Sequence, residues 1–258
     1  MEASFDKAAA CYDRTFSDTM IGRMQRSLVR DALSKHLKNV RNILEVNCGT
    51  GEDAIWLARK TFKITASDVS PKMIEVAKNK AVHKNLDYVV SDIKYIDTTF
   101  DGRQFDLIFS NFGGLNCLTQ SELEKFFRDS KSLLPEKGKM VLVIMPQNTL
   151  WEQLYFLAKA QFSNVFRRKK EMVLANVDGE KVPTYYFNPK DIVNLAKHDF
   201  ELVDYKPIGF FVPPSYMEPF FRDKMGILRF LNHLESSISK WRFLSKYADH
   251  YIITLQKQ

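Results

Sequence analysis

The sequence predicts an α/β fold, Rossmann-like and doubly wound, with helices covering both faces of a mostly parallel sheet. Three observations predict it. Short β-rich runs alternate with longer helical patterns through residues 42–145, the signature of βαβ units. The first run passes into a helix through a glycine loop, Cys48-Gly49-Thr50-Gly51. The most apolar run, residues 139–145 (KMVLVIM), suits a strand buried on both sides by helices.

The elements follow in order. Residues 42–47 (NILEVN) read as the first strand, and residues 52–60 (EDAIWLARK) carry apolar positions at helical spacing. Residues 62–67 (FKITAS) form a second strand, after which Ser70 is placed to cap a helix with Pro71 at its first position. Strands are expected over 86–90 and 105–110 (FDLIFS), and a helix over 121–134, closed by Pro135 and Gly138. Beyond residue 145 the pattern changes. A helix is expected over 148–161, a hairpin over 171–187 turning at Asp178-Gly179, and a short helix over 189–197. A strand over 200–210, a mostly helical excursion over 213–247 and a final strand over 250–255 complete the chain. Residues 146–258 hold 20 of the aromatic side chains and residues 1–145 hold 13, so the later part has rings to roof a pocket or to fill a second small core.

Composition excludes several classes. With 45% hydrophobic and 27% charged residues the 258-residue chain has the make-up of a folded globule. The net charge of +7 is thinly spread: 22 basic against 19 acidic side chains in residues 1–145, and 16 against 12 thereafter. Arg167-Arg168-Lys169-Lys170 is the one compact basic run, and it reads as a solvated face. Without a basic stripe, a nucleic-acid partner is disfavoured. The cysteines Cys11, Cys48 and Cys117 show neither disulfide nor zinc spacing, so no metal is expected. The acidic N-terminal segment lacks an apolar targeting core, and no run is long enough to span a bilayer; a soluble, cytoplasmic protein is expected. His36, His83, His198, His233 and His250 are scattered and are expected at the surface or at caps.

The glycine loop admits two ligands. Residues 49–54 fit GxGxxA, and Asp68 ends the next strand where a dinucleotide site places its ribose acid. Three acids at the carboxyl ends of successive strands favour a cationic nucleoside instead. Glu45, inside the first strand, would repel a pyrophosphate but suit a positive charge. Asp68 offers two acceptor oxygens to two hydroxyls of one ribose, and Asp92 can accept from an adenine amino group.

In order and spacing, these segments resemble the class I S-adenosylmethionine-dependent methyltransferases: LEVNCGTG their first motif, ASDVSPKMI the second, VVSDI the third and FDLIFSNF the fourth. The resemblance implies S-adenosylmethionine as cofactor and a seven-stranded sheet with an antiparallel last strand, for which residues 250–256 are the candidate. It implies Glu45, Asn47, Cys48, Gly49, Thr50 and Gly51 around the amino-acid moiety and Asp68 on the ribose. Val69 and Met73 would lie against the adenine, Ser91, Asp92 and Ile93 at its edge, and Asn111 beside the sulfur. FDKAAACYD resembles a helix that folds over the cofactor, with Tyr12 closing the near side. One departure bears on the acceptor. Ser110-Asn111-Phe112-Gly113-Gly114 stands where amino methyltransferases of nucleic acid or protein carry Asn-Pro-Pro-Tyr, which favours a small molecule; the acceptor expected is small and largely apolar.

The expected organisation is one domain over 1–258: a helical cap at 1–40, a cofactor-binding core at 41–145, insertions at 146–190 and 211–247 over the acceptor, and last strands at 200–210 and 250–256. Phe112, Gly113, Tyr185 and Tyr216 are candidate acceptor contacts. Tyr185, Tyr186, Tyr216 and His250 are candidate bases, among which the sequence does not choose. An NAD(P)-dependent oxidoreductase and a non-catalytic S-adenosylmethionine-binding subunit are the alternative readings.

Overall fold

The structure is a computed structural model and describes residues 5–177 and 179–258, so Asp178 of the expected hairpin turn lies outside the described residues. In chain order the strands are β1 (Asn42–Val46), β2 (Lys63–Asp68), β3 (Leu86–Val90), β4 (Leu107–Ser110), β5 (Lys139–Ile144), β6 (Val173–Val177), β7 (Glu180–Thr184), β8 (Phe200–Ile208) and β9 (His250–Lys257). The helices are α1 (Met20–Ser34), α2 (Glu52–Ala58), α3 (Pro71–Lys80), α4 (Ile96–Thr99), α5 (Gln120–Ser132), α6 (Leu150–Ala158), α7 (Pro189–Ala196), α8 (Glu218–Phe221) and α9 (Met225–Ser237).

Seven strands form one sheet in the order β3-β2-β1-β4-β5-β9-β8. β1 to β5 pair in parallel, and β9 lies antiparallel between β5 and β8. Strand order reverses between β1 and β4, which is where open α/β sheets leave a crevice at their carboxyl ends. Alternation along the strands explains the layers. Leu44, Val46, Ile108, Leu142 and Ile144 point to one face and meet Phe126 and Phe127 of α5 and Ile192 of α7. Ile43, Leu107, Phe109, Val141 and Val143 point to the other, where Leu33 of α1, Leu57 of α2 and Ile74 of α3 cover them. Glu45 belongs to this second face, a carboxylate in an otherwise apolar row.

The expected elements are found with their ends trimmed. Asn47, expected in the first strand, has φ 56°, so β1 stops at Val46 and the chain turns into the glycine loop. Helix α6 ends at Ala158, close to Ala160 with φ 54°, short of the expected residue 161. β6 and β7 pair as the expected hairpin, separate from the main sheet.

The excursion after β8 is anchored by one carboxylate. Buried Glu235 of α9 accepts the amide N–H groups of Gly209 and Phe210 on Oε1, at 2.9 and 3.1 Å, and those of Phe211 and Val212 on Oε2, at 2.6 and 3.0 Å. Successive amides aimed into one concavity make an anion nest, here filled from within the chain. Glu235→Ala leaves four donors unpaired, those of Gly209 and Val212 buried and those of Phe210 and Phe211 partly so, and is expected to lower unfolding stability by about 3 kcal/mol. Urea denaturation at neutral pH measures this; an unshifted midpoint would show that the nest is not a tether.

Candidate active site

The glycine loop is held at the sheet edge by backbone bonds. Cys48 N–H donates to Ser67 O (2.9 Å) and Gly51 N–H to Cys48 O (3.0 Å). Gly49 and Gly51 have φ 52° and 77°, but their roles differ. A Cβ on Gly51 would stand 2.6 Å from Tyr88 Oη and 2.9 Å from Ala77 Cβ, so that glycine lets α2 pack. The nearest atom to a Cβ on Gly49 is Tyr12 Cε1 at 4.0 Å, so the loop backbone is open to approach there, under the Tyr12 ring. Thr50 Oγ1 donates to Asp13 Oδ1 (2.6 Å), tying the N-terminal segment to the loop. Cys48 is buried, and burial followed by the charges of Asp68 and Glu45 pushes its thiol well up, which removes it as a nucleophile.

Two of the three expected acids converge on this loop. Glu45 is 2% exposed, and its Oε2 has no hydrogen-bond partner among the described residues. Burial, then the neighbouring Asp53 charge, raises its carboxyl well above 4.5 against the pull of Arg26 and Arg30. Asp68 Oδ2 accepts Gly49 N–H (2.8 Å) and Oδ1 accepts Ser70 N–H (3.0 Å), so it braces loop and helix start while each oxygen retains a lone pair. Burial raises the Asp68 carboxyl. Asp92 sits at the same sheet end but turns to its own segment: Oδ1 accepts Lys94 N–H (3.0 Å) and Oδ2 lies 3.5 Å from Lys94 Nζ.

The remaining expected contacts divide. Ser91 Oγ donates to Thr99 Oγ1 (3.0 Å), and Ile93 packs partly buried against the core. Val69 is 38% exposed at the rim and offers apolar surface. Met73 is buried beneath Ala8 and Ala9 rather than open at the rim, because the N-terminal segment covers it. Asn47 Nδ2 reaches Ser110 Oγ (3.3 Å) across the loop. Tyr12 is held protonated: burial, with Asp68, Asp13 and Asp53 nearby, pushes its hydroxyl up to about 12.

Behind the rim lies a buried charge cluster that sequence reading missed. Asp53, in the first turn of α2, pairs with Arg26 and with Arg30 Nε (2.7 Å), and its Oδ2 accepts Asn111 Nδ2 (2.7 Å). Burial disfavours the Asp53 charge, but Arg26 and Arg30 outweigh it and hold the carboxyl low. Asn111 is thereby committed to Asp53, and its Oδ1 accepts the Phe112 N–H (2.9 Å), which orients the turn after β4. The available signal was the spacing of Arg26 and Arg30, four residues apart and hence on one face of α1.

The far wall is aromatic. Phe112, at φ 45°, packs edge-on against Phe16 (centroids 5.0 Å) and His250 (5.5 Å), with the Arg26 guanidinium 5.0 Å over its ring. Gly113 has φ 77°, a left-handed conformation that glycine adopts without strain, and so permits the turn to close. His250 is 7% exposed, a correction to its expected surface role: as the first residue of β9 it faces the rim, not solvent. Its Nδ1 lies 3.2 Å from Asp249 Oδ2, within ion-pair distance but without a directed hydrogen bond. Asp249 Oδ1 accepts Arg168 Nη2 (3.1 Å), and Arg168 Nε donates to Glu152 Oε2 (3.1 Å). Burial raises the Asp249 carboxyl, but His250, Arg168 and Gln25 outweigh it and hold it far below the usual range. The basic run is therefore corrected as well. Lys169 and Lys170 are exposed, but Arg168 is buried between two carboxylates and clasps the insertion to β9.

The candidate tyrosines separate too. Tyr186 is buried under the Arg168 guanidinium (4.9 Å), and Tyr216 packs on Tyr155 (5.4 Å), half-exposed, with its hydroxyl pushed up by burial and by Asp249. Tyr185 instead packs against the α5–α7 core, its N–H bonded to Asn116 O (2.7 Å). Among the described residues no cluster of three or more His, Cys, Asp or Glu is arranged to hold a metal, and no helix is long and apolar enough to cross a membrane.

A switch-point crevice with a glycine loop, an unpartnered buried carboxylate and an acid ending the next strand is the ligand-site arrangement of an open, doubly wound α/β sheet. Comparison with known proteins agrees. A methyltransferase domain family matches residues 43–138. An uncharacterized protein of Methanocaldococcus jannaschii is 25% identical over 229 residues, 84% of this chain and 85% of its own. A demethylmenaquinone methyltransferase of Tropheryma whipplei is 28% identical over 141 residues, 54% of this chain; the match spans 56% of that relative's length. Among solved structures, an S-adenosylmethionine-dependent methyltransferase of Methanosarcina mazei superposes with a TM-score of 0.60 at 17% identity, over 88% of this chain and 96% of that one, a likeness of fold. Residues 43–138 thus carry a methyltransferase domain, within a fold like that of S-adenosylmethionine-dependent methyltransferases.

Proposed function

We propose that this methyltransferase acts on a small, largely apolar acceptor held against the Phe112 wall, and that His250 receives the proton the acceptor gives up. The observation that carries the proposal is the pairing of that aromatic wall with one buried imidazole backed by an ionised carboxylate. The name of the demethylmenaquinone methyltransferase relative supports an apolar acceptor.

Bound S-adenosylmethionine supplies a methyl group on a positively charged sulfur. The chain's own residues bind and orient it: Glu45 receives the cationic amino-acid end, and Asp68 takes the ribose hydroxyls on its remaining lone pairs. Val69 and Ile93 flank the base, and Tyr12 shuts the near side. Phe112, Phe16 and Tyr216 exclude water and align the acceptor, where most of the rate gain of such a displacement arises. His250 Nε2 takes the acceptor's O–H or N–H proton while Asp249, held by Arg168, stabilises the imidazolium that forms.

Two measurements test the reading. Asp68→Ala is expected to weaken S-adenosylmethionine binding by about 1.5–3 kcal/mol by calorimetry, as for hydrogen bonds to a charged group. An unchanged dissociation constant would remove Asp68 from the site. S-adenosylhomocysteine formation is then followed with apolar phenols and quinols beside polar amines and carboxylates. Turnover confined to the polar set would overturn the apolar acceptor, and none with any acceptor would favour a non-catalytic binding protein.

A further inference from the structure

We propose that the inserted segments form a docking face for an anionic membrane surface. The two segments are clasped into one body by Trp151 on Phe221 (6.1 Å) and Tyr155 on Tyr216 (5.4 Å). On α6, Trp151, Glu152 and Tyr155 turn inward, while Leu150, Leu154 and Leu157, at i, i+4 and i+7, form an exposed stripe. Phe162 follows at 70% exposure and Phe166 at 57%, and the second segment adds Phe220 at 60% and Phe230 at 61%. Large rings left exposed in this number on two clasped segments point to an interaction surface.

Charge selects the occupant. Three acids of these segments are consumed inside the protein, Glu152 by Arg167 and Arg168, Glu218 by the Met20 and Ile21 amides (3.0 Å each), and Glu235 by its nest, which leaves Glu171 and Asp223 as exposed acids. Among the described residues Lys159, Lys169, Lys170, Arg222, Lys224 and Arg229 make no ion pair with a carboxylate. Two ammoniums sit on the exposed rings themselves: Lys224 Nζ is 3.7 Å from the Phe220 centroid, and Lys169 Nζ is 4.7 Å from that of Phe166. A ring that enters the acyl boundary with a cation left at headgroup level is the arrangement of an interfacial anchor. A second copy of this chain would set like charges against each other across the contact, whereas acidic lipid headgroups neutralise them. The face lies on the insertion that bounds the proposed acceptor wall, but the inference does not depend on what the acceptor is.

The test is co-sedimentation of the full chain with phosphatidylcholine vesicles, alone or with phosphatidylglycerol added. Binding is expected only with phosphatidylglycerol and is expected to fall as salt shortens the screening length below about 10 Å. Lys169→Gln with Lys170→Gln should weaken binding about fivefold for each charge removed. Phe162→Ser with Phe220→Ser should abolish it. Cofactor affinity, measured in the same preparations, should stay unchanged in both variants and so report that they are folded. Equal binding to neutral vesicles, no binding to either, or a dimer in light scattering that the phenylalanine variant splits would each overturn the proposal.

Discussion

Glu45→Gln is expected to make the cofactor-free protein more stable near neutral pH and S-adenosylmethionine binding roughly 100-fold weaker, about 2.7 kcal/mol at 1.36 kcal/mol per decade. Both effects follow from one buried oxygen. Glu45 Oε2 has no partner, and burial has raised its carboxyl above 4.5. A group whose folded value lies above its unfolded one lends stability that is complete below the unfolded value and is lost as pH rises through the folded value. Above that window the native protein carries a buried, poorly solvated charge that glutamine does not. Cationic ligand reverses the balance, since the ionised carboxylate is then the paired form. Cofactor affinity should therefore fall as pH drops through the raised value, and binding there should release a proton. Calorimetry in buffers of different ionisation enthalpy counts that proton. If Glu45→Gln binds as tightly as the native protein and releases the same number, the carboxylate does not meet the cofactor's charge.

His250→Ala is expected to lower kcat by roughly 10²–10⁴-fold with cofactor affinity unchanged, the range of a lost general base. The geometry behind this is the short chain from β9 to the insertion: His250 Nδ1 to Asp249 Oδ2 at 3.2 Å, Asp249 Oδ1 to Arg168 at 3.1 Å, and Arg168 to Glu152 at 3.1 Å. Asp249→Asn should lower kcat more than it raises KM, because it removes the carboxylate behind the ring without removing the ring. Added imidazole should partly restore His250→Ala, which a purely structural loss would not allow. If His250→Ala turns over at the native rate, the acceptor needs no base or finds it elsewhere, and the histidine is then wall packing beside Phe112.

Local chemistry made much of the protein legible from residues alone. Short β-rich runs, the glycines between β1 and α2, Ser70-Pro71 at the start of α3 and the acids near the ends of successive strands are each constrained within a few residues, so strand order of appearance, loop and rim could be read directly. The cofactor class followed from the same short segments. Tertiary structure alone decided what those residues meet. That Asn111 is spent on Asp53, that Met73 lies beneath the N-terminal turn, and that Arg168 leaves its basic run for Glu152 and Asp249 all depend on contacts between segments far apart in the chain. A charge run looks solvated until a distant carboxylate is brought against it, and a histidine looks incidental until the sheet places it opposite Phe112. Such pairings carry no local sequence signature, because burial and Coulomb partners are properties of the folded neighbourhood and not of the residue.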